Sequence, residues 1–113
     1  MSKLQALIEK YQEENKKSNL GLSKALIEKV ARGLGPSIYK ADASKVSSTD
    51  KKELATLKKN FLMKKLGLED GPKLDKAIED TMAKFGKGNR NKYRVLVYAM
   101  LAKRFKKTSV YDK

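Results

Sequence analysis

The residues with the most chemical potential in this chain are cations. Between Gly86 and Lys107, Lys87, Arg90, Lys92 and Arg94 precede an uncharged, mostly apolar run from Val95 to Ala102, and Lys103, Arg104, Lys106 and Lys107 follow it. No acidic residue interrupts the stretch. Cations at a helix N-terminus oppose the helix dipole, at about 0.3–1 kcal/mol each when exposed. The backbone N–H groups freed at that end favour an anion. Asn89 and Asn91 add side-chain amides, and Gly86 and Gly88 let a ligand approach the backbone. One expectation is therefore a phosphate or carboxylate site built from Lys87, Asn89, Arg90, Asn91, Lys92 and Arg94. The competing expectation is that the acidic stretch with Asp70, Asp75, Glu79 and Asp80 neutralises these cations through salt bridges.

A second basic patch is written in doublets: Lys51-Lys52, Lys58-Lys59 and Lys64-Lys65. At about 100° per residue of α-helix, Lys51, Lys58 and Lys65 fall within about 40° of one another. Lys52 and Lys59 lie further round, with Leu62 and Leu66 projecting between the two groups. This wheel predicts an interrupted stripe. It suits either phosphate tracking or lysines that flank an apolar face and reach outward to water.

Catalysis has little to work with. The chain holds no Cys and no His, so thiolate chemistry and the commonest general base and metal ligand are absent. Ser37, Ser44, Ser47 and Ser48 have no His to activate them. The carboxylates are spread along helices rather than gathered in a calcium loop. Gly86-Lys-Gly-Asn-Arg-Asn lacks the third glycine of a dinucleotide fingerprint and follows no strand, and no P-loop spacing is present. The expectation is a protein that is not an enzyme and has no cofactor and no metal.

The remaining bounds come from composition. In 113 residues, 40% are hydrophobic, 35% are charged and the net charge is +14. A small soluble domain is comfortable at a net charge of roughly 2–8 in magnitude. Residues 86–113 alone supply +8 of the total. Such an excess implies an acidic partner or a surface that tolerates self-repulsion. No apolar run approaches the ~18 residues of a membrane span. The start, Met-Ser-Lys-Leu-Gln, meets Glu9 too soon for a secretory leader, so the cytoplasm is the expected setting.

Helical periodicity supplies the elements. Leu4, Leu7, Ile8 and Tyr11 mark a helix over residues 2–17. Ser23 can cap a second, with Ala25, Leu26 and Val30 on one face, stopped by Gly33, Gly35 and Pro36. Residues 35–49 read as irregular, with Asp42 able to cap one short turn and with Tyr39 and Val46 tucked into the core. Asp50 and Glu53 resemble a capping pair for a helix to Leu66, with Leu54, Leu57 and Phe61 as its stripe and Gly67 as its stop. Pro72 opens a fourth helix whose Leu74, Ile78 and Phe85 face inward and which Gly86 ends. A fifth starts near Asn89 or Asn91 and runs to about Lys107. Its apolar run goes all round the helix, which means burial on all sides, including Val97, Met100, Leu101 and Phe105. The expected fold is all-α: a compact bundle of about five helices around a central apolar C-terminal helix. It would form one helical domain over residues 1–113, with 108–113 a short tail.

Three stretches taken together are similar to a known family. They are Gly33-Leu-Gly-Pro-Ser-Ile-Tyr-Lys-Ala-Asp-Ala, then Lys59-Asn-Phe-Leu-Met-Lys-Lys-Leu-Gly-Leu, then Asn89-Arg-Asn-Lys-Tyr-Arg with Ser109-Val-Tyr near the end. In this order they resemble the small bacterial proteins grouped as domain of unknown function 2853. The resemblance covers most of residues 20–111. It implies a bacterial, cytoplasmic origin and carries no activity, ligand or catalytic residue.

From the residues alone, the functional expectation is a small basic helical protein that binds nucleic acid or another polyanion through phosphate contacts. The alternative is a protein-interaction module for an acidic protein, or a homo-oligomer, with no nucleic acid involved. A monomer is favoured. Adsorption to an anionic membrane is a weaker third reading, because no helix pairs a basic face with exposed aromatics.

Overall fold

The computed structural model describes residues 3–39, 45–46, 50–86 and 92–111. The fold is all-α. Helix α1 spans Lys3–Lys17 and α2 spans Lys24–Leu34, followed by a 3-10 turn at Gly35–Tyr39. Helix α3 begins as an α-helix over Lys51–Leu57 and continues as a π-helix over Lys58–Lys65. Helix α4 spans Pro72–Phe85 and α5 spans Arg94–Arg104, and a last 3-10 turn covers Thr108–Tyr111. The expected bundle of about five helices is what the structure shows.

Local chemistry explains the boundaries. The Ser23 hydroxyl accepts the Leu26 N–H, and one Asp50 carboxylate oxygen accepts from both Lys52 and Glu53 N–H. Each satisfies first-turn donors that have no partner within the helix. Pro72 occupies the first turn of α4, where its missing N–H costs nothing. After α1, Asn19 takes the left-handed conformation at φ +54°, and Leu20 N–H returns to the Asn15 carbonyl at 2.9 Å.

The π segment follows from the spacing of its apolar residues. Leu57, Phe61, Leu62 and Leu66 are all buried. On an α-helix at about 100° per residue, Leu66 would lie about 180° from Leu57. A π-helix closes its hydrogen bonds over five residues and so turns less per residue. That wider turn brings Leu66 back to the buried side, where its N–H donates to the Phe61 carbonyl at 2.9 Å. Phe61 then stacks on Tyr98 of α5, ring centroids 4.0 Å apart.

Nearly all the buried apolar residues of the five helices form one cluster. Val95, Leu96, Val97, Ala99, Leu101 and Ala102 of α5 are buried, and α5 packs against α1, α2, α4 and the last 3-10 turn. Burying a Val or Leu side chain contributes about 1.5–3 kcal/mol, which makes this helix a large share of the core.

Several expectations need correction. Met100 and Phe105 are half-buried rather than buried: Met100 lines a surface groove, and Phe105 lies just past the last turn of α5. The inward face of α2 is Ile27, Val30 and Ala31, and Ala25 is exposed. Val46 is buried but Tyr39 is 48% exposed. Helix α5 starts at Arg94, because the residues just before it are paired elsewhere. Lys45 and Tyr93 form an antiparallel bridge, and Val46 N–H donates to the Lys92 carbonyl at 2.8 Å. It ends at Arg104, where Lys106 turns left-handed at φ +57° and Lys107 N–H returns to the Ala102 carbonyl. Residues 108–111 form a 3-10 turn that packs on α2. The Tyr111 ring lies so close to α2 that a Cβ on Gly33 would meet it at 3.3 Å, and the Lys65 ammonium sits 5.0 Å from its centroid. The expected Asp42 cap lies outside the described residues.

Candidate functional site

The N-terminal end of α5 is built on backbone pairing. Lys92 and Tyr93 run extended against Lys45 and Val46, and the Tyr93 ring meets Tyr11 edge-on at 5.0 Å. Lys92 is buried, only 5% exposed. Arg94, the first residue of the helix, sends one guanidinium nitrogen to Glu53 of α3 at 3.1 Å and another to the Tyr98 hydroxyl at 3.1 Å. Its guanidinium also lies 5.7 Å from the Tyr98 ring. Both Arg94 and Glu53 are largely shielded, at 20% and 26% side-chain exposure. Of the residues expected to form an anion site here, Lys87, Asn89, Arg90 and Asn91 lie outside the described residues. Arg94 is neutralised, but by Glu53 and not by the acidic stretch.

The acidic stretch serves other cations. The Lys58 ammonium reaches Asp70 at 2.6 Å and Asp75 at 3.1 Å. The Asp70 contact, joined by the one to Asp75, raises the Lys58 pKa, and the same hydrogen bond to Lys58 holds the Asp70 carboxyl below its ordinary range. Asp80 takes Arg104 at 3.0 Å and Lys76 at 3.9 Å. The Lys103 ammonium donates to the Gly21 carbonyl at 2.7 Å.

Helix α3 presents a different picture. Its exposed residues recur as the pairs 51–52, 55–56, 59–60 and 64–65. The interval is four residues through the α-helical half and five where the π turn adds one. Lys51, Lys52, Lys59, Lys64 and Lys65 therefore share the solvent side, with Ala55, Thr56 and Asn60 between them. Lys58 has left this face to pair with Asp70 and Asp75. Leu62 and Leu66 do not interrupt it, because both point into the core. The wheel drawn at α-helical pitch was wrong for this reason. Lys64 lies on this face beside Lys65. The clue was available in the apolar spacing at 57, 61, 62 and 66, which fits a longer period than 3.6.

Sequence reading also missed Asn15. Its side-chain amide donates to the Leu22 carbonyl at 2.7 Å and accepts the Leu22 N–H at 3.1 Å. This two-point clasp fixes the link between α1 and α2. Among the described residues, no group of three or more acidic side chains is gathered closely enough to hold a metal ion. No described helix is long and apolar enough to cross a membrane.

These features define a class: small, strongly basic, all-helical proteins with no recognisable catalytic constellation among the described residues. The model of the family described as "Protein of unknown function (DUF2853)" matches residues 10–109. The chain belongs to that family. The match takes in the whole of α3 and α5. No curated protein is similar enough to the chain to count as a match.

Proposed function

We propose that this protein binds polyanions, nucleic acid foremost, through phosphate contacts from the exposed face of α3. The observation that carries the reading is the sorting of cations. Lys58, Arg94 and Arg104 are tied to carboxylates, whereas Lys51, Lys52, Lys59 and Lys64 have no acidic partner among the described residues. Along the face they stand at positions 51–52, 59 and 64, with Ala55 and Thr56 between the first and second groups, so an extended anion can meet them in succession. Lysine contacts of this kind position a phosphate backbone and carry no base readout. The action is binding and not catalysis, by a monomer, in the cytoplasm. The neutralised Arg94 has a small part in it.

Binding to duplex DNA is expected to be weak, roughly 10⁻⁴–10⁻⁶ M at physiological salt, and insensitive to sequence. Each phosphate contact contributes about 0.9 to the slope of log K against log salt. Replacing Lys52, Lys59 and Lys64 together by Gln is expected to flatten that slope by about 2–3, read by fluorescence anisotropy of a labelled duplex across a salt series. Lys58→Gln serves as the control and leaves the slope alone. An unchanged slope in the triple variant overturns the proposal.

A further inference from the structure

A groove of about 480 Å³ opens between α4 and α5 and is closed on one side by the α1–α2 link. Its floor is apolar: Leu20, Leu22 and Met100. Its rim is cationic. Lys84, Lys103 and Arg104 line it against one carboxylate, Asp80, which Arg104 shares with Lys76, so the lining keeps a positive excess from Lys84 and Lys103. The floor is also built rigidly. Asn15 clasps Leu22 through both its amide groups, and Lys103 holds the Gly21 carbonyl from the opposite wall. Leu20 and Leu22 therefore stand ready without the cost of ordering a loop on binding.

We propose that this groove docks an acidic peptide segment of a partner protein, one that places an apolar anchor residue on the Leu20–Leu22–Met100 floor. The chemistry selects the occupant. A phosphodiester backbone has charge for the rim but nothing apolar to set against the floor. A purely apolar segment would leave Lys84 desolvated without a partner and Lys103 with a carbonyl alone, which is costly. A segment with Asp or Glu flanking Leu or Phe satisfies both, with the apolar anchor giving affinity and the rim giving orientation and encounter rate. A neighbouring groove makes the contrast. It lies between α3 and α4, with a volume of about 410 Å³ and a floor that includes Leu54, Ile78 and Met82. Its rim balances Lys51 and Lys58 with Asp75 and Glu79, so it shows no preference for either sign. This surface is separate from the lysine face of α3, and the inference does not depend on the nucleic-acid reading.

The methionines provide the test. Met100 reports the α4–α5 groove, Met82 the balanced groove and Met63 the π segment of α3. With methyl-labelled methionine, the intact protein is titrated with a short synthetic peptide of Asp and Glu carrying one Leu and one Phe. A second peptide has both anchors replaced by Ser, and a DNA duplex is the third probe. The expected result is a saturable shift of the Met100 methyl with the anchored peptide, little movement of Met82 and Met63, and no saturable Met100 shift with the serine peptide or the duplex. Lys84→Glu, an exposed change at the rim, is expected to weaken the peptide about tenfold, the size of one charge-assisted contact. Equal binding of the serine peptide, equal shifts at all three methionines, or a saturable Met100 shift with the duplex would each overturn the proposal. So would a Met100 shift that depends on protein concentration without peptide, since a second copy would then fill the groove.

Discussion

The α5 region and the α3 region are both rich in cations, and they use them in opposite ways. Around α5 the basic residues are dense in sequence, yet four of those described are committed. Lys92 is buried, Arg94 is held by Glu53, Lys103 by the Gly21 carbonyl and Arg104 by Asp80. Along α3 the lysines come in scattered doublets, yet all but Lys58 face solvent, Lys65 reaching no further than the Tyr111 ring. A cation is most available to a phosphate when no carboxylate lies within reach of it. Local density in the sequence does not decide that. The backbone does, through the π turn that swings Lys64 outward and through the packing that sets Glu53 beside Arg94.

The sharpest way to break the comparison is to attack the core role of α5. Leu101 is fully buried, and Leu101→Ala is expected to cost about 2–5 kcal/mol from lost burial and residual cavity, measured by chemical denaturation. The half-buried Leu54 of α3 should lose clearly less on the same change. Similar losses at both sites would mean that the two helices do not differ in kind.

Alkaline pH tests the base of α5 next. Tyr11 packs against Tyr93 there, and burial, aided by the neighbouring Tyr93 and Tyr39 phenols, pushes its pKa from 10.0 up to about 12. A phenol whose folded pKa is raised is stabilised while neutral. That contribution is complete below the unfolded pKa near 10 and is lost as pH rises to about 12. The loss should be about 2–3 kcal/mol over that window, beyond the general effect of deprotonating lysines. The Tyr11 hydroxyl is buried with no hydrogen-bond partner among the described residues. Tyr11→Phe should therefore keep or slightly raise stability at neutral pH and shrink the alkaline loss. Denaturation midpoints of the two proteins across the alkaline range decide it, and an unaltered loss in the variant would assign the effect to other groups.

Glu53→Gln exchanges the status of a cation between the two classes. Removing the carboxylate charge should cost about 1 kcal/mol, the upper end for a partly exposed pair. It should also steepen the salt dependence of duplex binding, because Arg94 is released. A stability loss with an unchanged slope would show that Arg94 stays turned inward through Tyr98. The smallest stability effect belongs to the α3 lysines. The Lys52, Lys59 and Lys64 triple change should move the unfolding free energy by no more than about 0.5 kcal/mol per site while reshaping the salt slope. A marked loss of stability would identify those lysines as structural.

Much of the fold was legible in the sequence, because helix boundaries are written in local chemistry. Ser23, Asp50, Pro72, Gly67 and Gly86 cap or stop helices through groups within a few residues of themselves, and the apolar run from Val95 to Ala102 announces burial without reference to any partner. The family, too, could be read from motifs along the chain. What the sequence left open were relations between distant residues. Three-dimensional packing alone decided that Arg94 meets Glu53, that Lys58 meets Asp70 and Asp75, and that Lys92 is buried where its backbone carbonyl accepts the Val46 N–H. It also decided that Asn15 clasps Leu22 beneath a cationic groove. The lysine face of α3 lay between the two cases. Its residues were in view, but their register depended on a π turn that the core selects. Bringing Leu66 back to the buried side outweighs keeping α-helical hydrogen bonds, and the lysines follow the backbone that results.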